Sequence, residues 1–293
     1  MLGKVRLVKY AGRRVISRSE ASDLLQERIL SGAPFLACRF GSSELNTVWR
    51  TLQKRITGNT YKYDEIISII CKQSGFFPDD LSYADAFTDC MIDSIRLADM
   101  VGIWAYPGEE YVLSRYAPDA QLTALANLEP WYLPENPWTK ALAGKRVLVV
   151  HPFESTIQEQ FAKRENLFPG TDILPEFELL TYKAVQTIAG NRDERFNTWF
   201  DALSFMEDQI RQFEFDIAIV GCGAYGLPLA ASIKAMGRQA VHLGGATQLL
   251  FGIRGKRWDE MPEISKWYND SWIRPLDQDH CTNYRTIEGG CYW

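Results

Sequence analysis

The protein has 293 residues, of which 46% are apolar and 24% are charged, so the chain can bury a large core. Its formal net charge is -5 at pH 7, and this acidic balance argues against the broad basic surface that nucleic acid requires. The sequence has no run of about 18 apolar residues and its start, MLGKVRLVKYAGRR, lacks the apolar stretch of a signal peptide, so we expect a cytoplasmic protein without a transmembrane segment.

The first half of the chain predicts helices interrupted by two short strands. SEASDLLQERILS, residues 19–31, predicts a helix that begins at a Ser N-cap and ends at Gly32. PFLACRF predicts a strand, and SELNTVWRTLQKRI predicts a helix because its apolar residues recur at helical spacing. DEIISIICKQ and SYADAFTDCMIDSIRLADM predict two further helices, and VGIWAY predicts a strand.

The second half predicts alternating strands and helices. A segment rich in Pro and Trp, roughly Asp119 to Lys145, is interpreted as a connection with one short helix. RVLVVHPF is typical of a strand buried on both faces of a parallel sheet, and EFELLTYKAV, FDIAIVGCG and QAVHLGG are three more strand candidates. Helical stretches separate them. This order predicts a doubly wound α/β fold with a mostly parallel sheet.

The cysteines and histidines indicate no metal site. Six cysteines are scattered without any CxxC pair, which argues against a zinc ribbon and against a dense disulfide scaffold. The three histidines show neither HxH nor HxxxH spacing. A histidine-built metal site is therefore not expected.

A glycine motif marks the turn after one predicted strand. Gly221, Gly223 and Gly226 form GxGxxG, a spacing that allows a tight turn and offers free N–H groups to a phosphate at the helix start. The dinucleotide fingerprint also requires an acidic residue about 20 residues later, but the next strand ends in Gly244 and Gly245. The alternative is that these glycines only allow a helix to pack on the sheet.

Two other strand ends carry candidate site residues. His151 and Glu154 stand where the strand RVLVVHPF passes into a helix, the edge at which open α/β sheets bind ligands. Alternatively, Glu154 or Ser155 caps that helix and His151 is a buried group with a satisfied hydrogen bond.

GGATQLLFGIRGKRWDE contains the other candidate. Thr247 opens a short predicted helix, and Arg254, Lys256 and Arg257 follow it as a basic cluster that could hold a pyrophosphate. A solvated basic loop is the alternative.

The stretch RFGSSEL resembles the RFGDGEL-type signature of bacterial glycosyltransferases with the GT-D fold. The C-terminal run IVGCGAYGLPLAASIKAMGRQAVHLGGATQLLFGIRGKRW, with the ending EGGCYW, is similar to GT-D-like proteins. The resemblance implies a single Rossmann-like domain over residues 1–293. Within it we expect a helical N-terminal portion at about 1–140, a Rossmann-like core at about 141–260 and a C-terminal extension at about 261–293.

The resemblance also implies a function. Such enzymes bind a nucleotide-activated sugar, often linked to UDP, and transfer the sugar to a glycan or glycoprotein in bacterial surface polysaccharide or glycoprotein synthesis. We therefore expect a hexosyltransferase-type enzyme in the cytoplasm. A peripheral position at the inner face of the membrane and homo-oligomerisation are left open.

One position departs from that signature. Family members use an Asp-x-Glu pair to hold Mn²⁺ or Mg²⁺ against the diphosphate, but Ser42 stands in the place of the aspartate, and Glu44 is the one matched candidate metal ligand. A lone carboxylate makes a poorer site for a hard cation. Either another carboxylate completes the site, or Arg39, Lys256 and Arg257 replace the metal, or activity has been lost.

The expected roles follow from the resemblance and the motifs together. We expect Arg39 to contact phosphate and Glu44 to hold a metal, bind the sugar or accept the proton of the acceptor hydroxyl. His151 and Glu154 are further catalytic candidates. The expected donor-binding residues are Arg39, Gly41, Ser42, Gly221, Gly223, Tyr225, Gly226, Gly244, Gly245, Thr247, Lys256 and Arg257.

Three alternatives stay open. Arg39 and Glu44 could form an internal ion pair that fixes the turn, because buried charges are usually paired. The protein could be an NAD(P)-dependent oxidoreductase, or it could bind nucleotide sugars without catalysis.

Overall fold

A computed structural model of the chain describes residues 8–287 and 289–293. The strands are β1 (Lys9–Tyr10), β2 (Arg13–Ile16), β3 (Phe35–Cys38), β4 (Met100–Ile103), β5 (Gln121–Ala124), β6 (Arg146–His151), β7 (Glu178–Lys183), β8 (Ile217–Val220) and β9 (Gln239–His242). The helices are α1 (Arg18–Ser31), α2 (Ser42–Thr57), α3 (Ile66–Ser74), α4 (Ala84–Ile95), α5 (Glu109–Tyr116), α6 (Glu154–Phe161), α7 (Trp199–Ile210), α8 (Gly226–Ala235), α9 (Thr247–Leu250), α10 (Lys256–Asp259) and α11 (Pro262–Ser265).

The strands form one sheet in the order β1-β2-β5-β4-β3-β9-β8-β6-β7. Only β1 and β2 pair antiparallel, and every other neighbouring pair is parallel. The prediction of a mostly parallel α/β fold is therefore confirmed. The sheet unites both halves of the chain, since β3 pairs with β4 on one side and with β9 on the other.

Alternating side chains of the strands enter two separate cores. In β3, Leu36 belongs to the core covered by α2, α4 and α8, whereas Phe35 and Ala37 belong to the core covered by α1 and α6. Both faces are apolar because successive residues of a strand point to opposite faces and helices cover each side. This is the doubly wound arrangement that the alternation of strands and helices predicts.

The sequence missed or misplaced a few short elements. Helix α1 is capped by Ser17, whose side chain and that of Glu20 form a reciprocal capping box, so the helix begins at Arg18 rather than at Ser19. The predicted connection after Asp119 contains the four-residue strand β5, which is too short to show a periodicity of its own. No helix within the described ranges is both long enough and apolar enough to cross a membrane.

The C-terminal segment is fastened to the start of α6. The buried carboxylate of Asp279 accepts hydrogen bonds from Thr156 N at 2.8 Å and from Thr156 Oγ1 at 2.6 Å. Asp279 thus satisfies a free N–H group of the first turn, the task that the sequence had suggested for Glu154 or Ser155. Ile287, Tyr292 and Trp293, which follow Asp279 in the chain, lie at the carboxyl edge of the sheet.

Candidate functional site

A cavity of about 500 Å³, here the main cavity, lies at the carboxyl edge of the parallel sheet. Residues that follow β3, β4, β6, β8 and β9 form its wall, and this is the edge where open α/β sheets bind ligands. The volume suits a small-molecule ligand. The predicted site residues that line it are Arg39, Gly41, Ser42, Glu44, His151, Gly221, Gly223, Tyr225, Gly244, Gly245 and Arg257.

Four of the predicted residues do not line the main cavity. Glu154 accepts a hydrogen bond from Thr181 Oγ1 at 2.9 Å, on the edge strand β7. Thr247 is buried, and its hydroxyl donates to the backbone of β8. The other two are Gly226, which is buried under a histidine ring, and Lys256, which is exposed.

Arg39 forms no salt bridge with another described residue, although its charge opposes the rise to about 7 that burial causes in the pKa of Glu129. Its guanidinium lies over the ring of Trp104, with 5.4 Å between Cζ and the ring centroid. Its Nε is buried without a hydrogen-bond partner. A Cβ on Gly244 would stand 2.8 Å from Arg39 Nη1, so the glycine makes room for this side chain. An unpaired guanidinium at a cavity wall favours an anionic ligand.

Glu44 lies in the first turn of α2 with its carboxylate against the main cavity. The side chain is 8% exposed and Oε2 accepts a hydrogen bond from Ser43 Oγ at 3.1 Å. Ser43 Oγ is also 2.6 Å from Ser74 Oγ. The carboxylate lies over Gly41, where a Cβ would be 1.9 Å from Oε2. Within the described residues, Oε1 has no protein hydrogen bond and is left for a ligand.

The alternative of an Arg39–Glu44 ion pair is not what the structure shows. No salt bridge joins the two side chains within residues 8–287 and 289–293, since Glu44 bonds to Ser43 and Arg39 lies over Trp104. Both charges therefore point to the main cavity and neither neutralises the other. A bound ligand with both anionic and hydroxyl groups would satisfy both.

The donor set does not fit a metal site built by the protein. Among the described residues around the main cavity, Glu44 is the only Asp or Glu. In the part of the chain that the structure describes, no group of three or more His, Cys, Asp or Glu side chains is placed to hold a metal ion. Mn²⁺ and Mg²⁺ prefer several oxygen ligands, and the described residues of this wall supply no second carboxylate.

The three glycines of GxGxxG are packed against protein atoms. A Cβ on Gly221 would stand 2.4 Å from Thr247 Oγ1, and one on Gly226 would stand 2.3 Å from His242 Nε2. Gly223 has φ +60° and approaches the backbone oxygen of Ser74. Packing alone thus accounts for glycine at all three positions, although Gly221 and Gly223 also line the main cavity.

His151 and His242 are buried neutral rings in the cavity wall. Burial lowers the pKa of His151 to about 3, although Asp279 opposes the shift. Burial and the charge of Arg39 lower the pKa of His242 to about 3. Because Phe153 N donates to His151 Nδ1 at 3.0 Å, the proton of the His151 ring lies on Nε2. His151 can therefore donate a hydrogen bond to a ligand, but it does not exchange a proton near neutral pH.

The predicted basic cluster divides into residues with different surroundings. Arg254 donates twice to the backbone oxygen of Trp272, at 3.1 and 2.6 Å, and is structural. Lys256 is exposed and its Nζ is 3.4 Å from Gly289 O. Arg257 lines the main cavity, with its guanidinium 4.7 Å from the ring centroid of Tyr292. Only Arg257 of the three is placed to contact a ligand there.

Aromatic and hydroxyl groups complete the wall, and the sequence analysis did not select them. The C-terminal residues Tyr292 and Trp293 line the main cavity, and Trp293 packs edge-on against Phe153 at 5.5 Å between ring centroids. The ending EGGCYW carried a signal for these two, although its first residue, Glu288, lies outside the described residues. The other residues that were missed include Ser43, Gln73, Ser74, Trp104 and Gln248.

The turn after β4 is held by a buried carboxylate. Glu109 is 0% exposed, and its Oε2 accepts hydrogen bonds from Trp104 N at 3.2 Å and Ala105 N at 2.8 Å. Burial raises the pKa of Glu109. Ala105 has φ +58°, a left-handed conformation that a side chain rarely adopts. Glu109 thus fixes the turn that carries Trp104 over Arg39.

The sequence matches no known protein family model and no curated protein. It is similar to a solved structure described as the highly conserved domain of unknown function 1792 with a distinct glycosyltransferase fold. The identity is 14%, the TM-score is 0.41, and the match covers 90% of this chain and 96% of the other. A selenomethionine-substituted structure of that domain matches at 15% identity and a TM-score of 0.41, over 93% of this chain and 94% of the other. At this distance no residue role is carried over.

Proposed function

We propose that the protein is a glycosyltransferase that transfers a sugar from a nucleotide-activated donor, with UDP as the expected nucleotide, to a glycan or glycoprotein acceptor. The observation that carries the proposal is that a cation, Arg39, and a carboxylate, Glu44, line one cavity and form no salt bridge with each other or with another described residue. A nucleoside diphosphate sugar offers a diphosphate to the first and hydroxyl groups to the second. The resemblance of RFGSSEL to the GT-D signature supports the same reaction.

The chemistry assigned to these residues is one group transfer. The acceptor oxygen bonds to the anomeric carbon of the donor, and the bond from that carbon to the diphosphate oxygen breaks. The diphosphate leaves with the bonding electrons, and Glu44 takes the proton of the acceptor hydroxyl. Arg39 and Arg257 neutralise the charge that develops on the diphosphate, and the His151 Nε2–H donates to a phosphate or sugar oxygen.

The end of β9 and the packing of the glycine turn after β8 disfavour a nicotinamide oxidoreductase. The strand β9 leads into Leu243, Gly244 and Gly245, so no carboxylate is available for the ribose hydroxyls at its end. The GxGxxG turn is filled by Thr247, Ser74 and His242 where the fingerprint glycines would leave room for a pyrophosphate. Neither feature weakens the binding of a single nucleoside diphosphate near Arg39.

A thermal-shift panel tests the proposal directly. UDP, GDP, CMP and dTDP sugars are compared with NAD(P), each with and without Mn²⁺. A ligand at a hundredfold excess over its Kd stabilises the native state by about 2.7 kcal/mol, which such a measurement resolves. We expect the largest shift from a nucleoside diphosphate sugar. A shift given only by NAD(P) would overturn the proposal, and tight sugar-nucleotide binding without hydrolysis or transfer would leave a binding protein instead.

A further inference from the structure

A second cavity of about 310 Å³ adjoins the main cavity. The two cavities share Ser42, Ser43 and Gln73, which form a partition between them. Ser42 and Ser43 belong to the first turn of α2, and Gln73 belongs to the last turn of α3. A molecule in the second cavity would therefore lie beside the first turn of α2, which carries Glu44.

Two rows of side chains with helical spacing form the second cavity. Residues 42, 46 and 50 follow one another at intervals of four on α2, and residues 65, 69 and 73 do the same along α3 and the residue before it. Side chains four apart lie on one face of a helix, so each row presents a continuous surface. The groove between the rows is lined by Ser42, Asn46, Arg50, Glu65, Ile69 and Gln73.

The chemistry of this groove is polar and mixed. It offers hydroxyl, amide, guanidinium, ammonium and carboxylate groups, and Ile69 is the one aliphatic residue among the described residues that line it. Arg50 makes no ion pair within the described residues, since its guanidinium lies over the Tyr61 ring at 5.3 Å and donates to Gln53 at 3.2 Å. Hydroxyl groups act as donors and acceptors together, and a wall that offers both kinds of partner suits them. An acyl or polyprenyl chain would find almost no apolar surface here.

An aromatic pair links the two cavities. Tyr106 lines the second cavity and Trp104 lines the main cavity, and their rings stack with centroids 5.2 Å apart and an interplanar angle of 26°. Both residues belong to the turn that Glu109 holds. Within the partition, Ser43 Oγ donates to Glu44 Oε2 at 3.1 Å. A hydroxyl group that crosses the partition thus meets the proposed base.

From this juxtaposition we propose that the second cavity is the acceptor subsite and that it binds a hydrophilic sugar of the acceptor. The inference rests on the proposed glycosyltransferase function and specifies its second substrate. The sugar lies between the α2 and α3 rows, with its reacting hydroxyl directed over Ser43 toward Glu44. Arg50 and Asn46 hold other oxygens of the same sugar.

Filling the second cavity tests the inference. Asn46→Trp places an indole between the two rows, and Lys72→Trp is the matched control because Lys72 is exposed on α3 and lines neither cavity. The probes are UDP, for donor binding, and methyl glycosides of hexoses, N-acetylhexosamines and uronic acids, for transfer from the donor that the thermal-shift panel identifies.

We expect Asn46→Trp to lower kcat/KM for the methyl glycoside at least about tenfold, equivalent to about 1.4 kcal/mol. Its Kd for UDP should stay within about twofold of wild type, because the main cavity is separate, and Lys72→Trp should leave both quantities within that range. If Asn46→Trp does not fold, Arg50→Ala replaces it, and this variant is expected to raise the KM of the methyl glycoside.

The outcomes separate the two proposals. Transfer by Asn46→Trp at the wild-type rate would overturn the acceptor subsite and leave the glycosyltransferase function intact. A wild-type protein that binds and hydrolyses the donor but uses none of the glycosides would overturn the assignment of a sugar to this cavity. A wild-type protein that binds no nucleotide sugar would instead overturn the proposed function.

Discussion

The turns after β3 and β8 both contain glycine, but different groups surround them. Each is a glycine-containing turn from a buried strand into a helix at the same edge of the sheet. After β3, the charged side chains of Arg39 and Glu44 form no salt bridge with a described residue and face the main cavity. After β8, the space above Gly221 and Gly226 is occupied by Thr247 and His242. The GxGxxG turn after β8 is thus the more closely packed of the two, and the charged residues after β3 are the better guide to the chemistry of a ligand.

Removing the charge of Glu44 should give the largest effect. Glu44→Gln keeps the shape of the side chain, and because Glu44 has no ion pair, its thermal stability should remain near that of wild type. Transfer or donor hydrolysis should fall about a hundredfold or more, the usual contribution of a positioned base. Steady-state kinetics and a melting curve on the same preparation check both expectations.

Glu154→Gln is the matched control for Glu44→Gln. Glu154 also follows a strand of this sheet, but it bonds to Thr181 outside the main cavity. Its activity should equal that of wild type. If Glu44→Gln unfolds the protein while the folded fraction keeps full specific activity, the turn after β3 is structural and the comparison between the two turns fails.

Removing the cation of the same turn should weaken donor binding. Arg39→Ala should raise the Kd for UDP about tenfold to a hundredfold, because hydrogen bonds to charged groups contribute about 1.5 to 3 kcal/mol. Titration calorimetry at low and high salt measures this, with Lys256→Ala as the control, since Lys256 is exposed and lines neither cavity. Equal losses of UDP affinity in Arg39→Ala and Lys256→Ala would mean that Arg39 does not bind the anion in the main cavity.

A substitution in the turn after β8 should affect stability and spare binding. Gly226→Ala places a Cβ 2.3 Å from His242 Nε2, and overpacking of this kind costs about 1 to 3 kcal/mol. Urea unfolding should show that loss, and part of it should disappear in the His242→Ala background, since the two residues are in contact. A loss of UDP affinity in folded Gly226→Ala, without a loss of stability, would make the glycine turn a phosphate loop after all.

Two buried histidines, His242 beneath that turn and His151 at the end of β6, should make stability depend on pH. Both His151 and His242 have folded-state pKa values of about 3, below the usual value of 6.5, so the unfolded state binds more protons at mildly acidic pH. The contribution is complete above about pH 6.5 and is lost as the pH falls toward 3, by up to about 1.4 kcal/mol per pH unit for each ring. Urea unfolding at several pH values should show a slope that is smaller in His242→Gln than in wild type, by up to about 1.4 kcal/mol per pH unit, whereas Glu129, with its pKa raised to about 7, contributes with the opposite sign in both proteins. An unchanged slope in the variant would contradict the burial of a neutral ring.

The sequence predicts the frame of the molecule better than it predicts the inner surface of the cavity. The apolar run RVLVVHPF and the glycine turn after FDIAIVGCG identify β6 and β8 because burial on both faces leaves a strong compositional signal. Strand β5 left no such signal in four residues. Trp104 and Ser74 were missed because their places in the wall depend on how β4 and α3 are arranged beside β3, which no local pattern encodes.

The roles of individual charges were equally beyond the sequence. Arg254, Lys256 and Arg257 stand within four residues, yet only Arg257 lines the main cavity, because Arg254 is engaged by Trp272 O. Likewise, Glu109 showed no motif, and its importance comes from two backbone N–H groups that a left-handed Ala105 directs toward it. Such roles depend on tertiary contacts rather than on residue spacing.

The pairing of β3 with β9 also determines when the site can exist during synthesis. Leu36 is registered with Ala240, so Arg39 and Gly244 come together only after almost the whole chain has left the ribosome. At about 5 to 20 residues per second, translation of the intervening chain takes on the order of 10 to 40 s, and during that time β3 lacks one neighbour. Closing the loop between β3 and β9 costs entropy before the contacts between these strands can offset it. We therefore expect assembly of the central sheet to be a late and slow step of folding. A nascent chain that ends before β9 therefore has no ligand site to stabilise it, and nucleotide binding can act only on the finished fold.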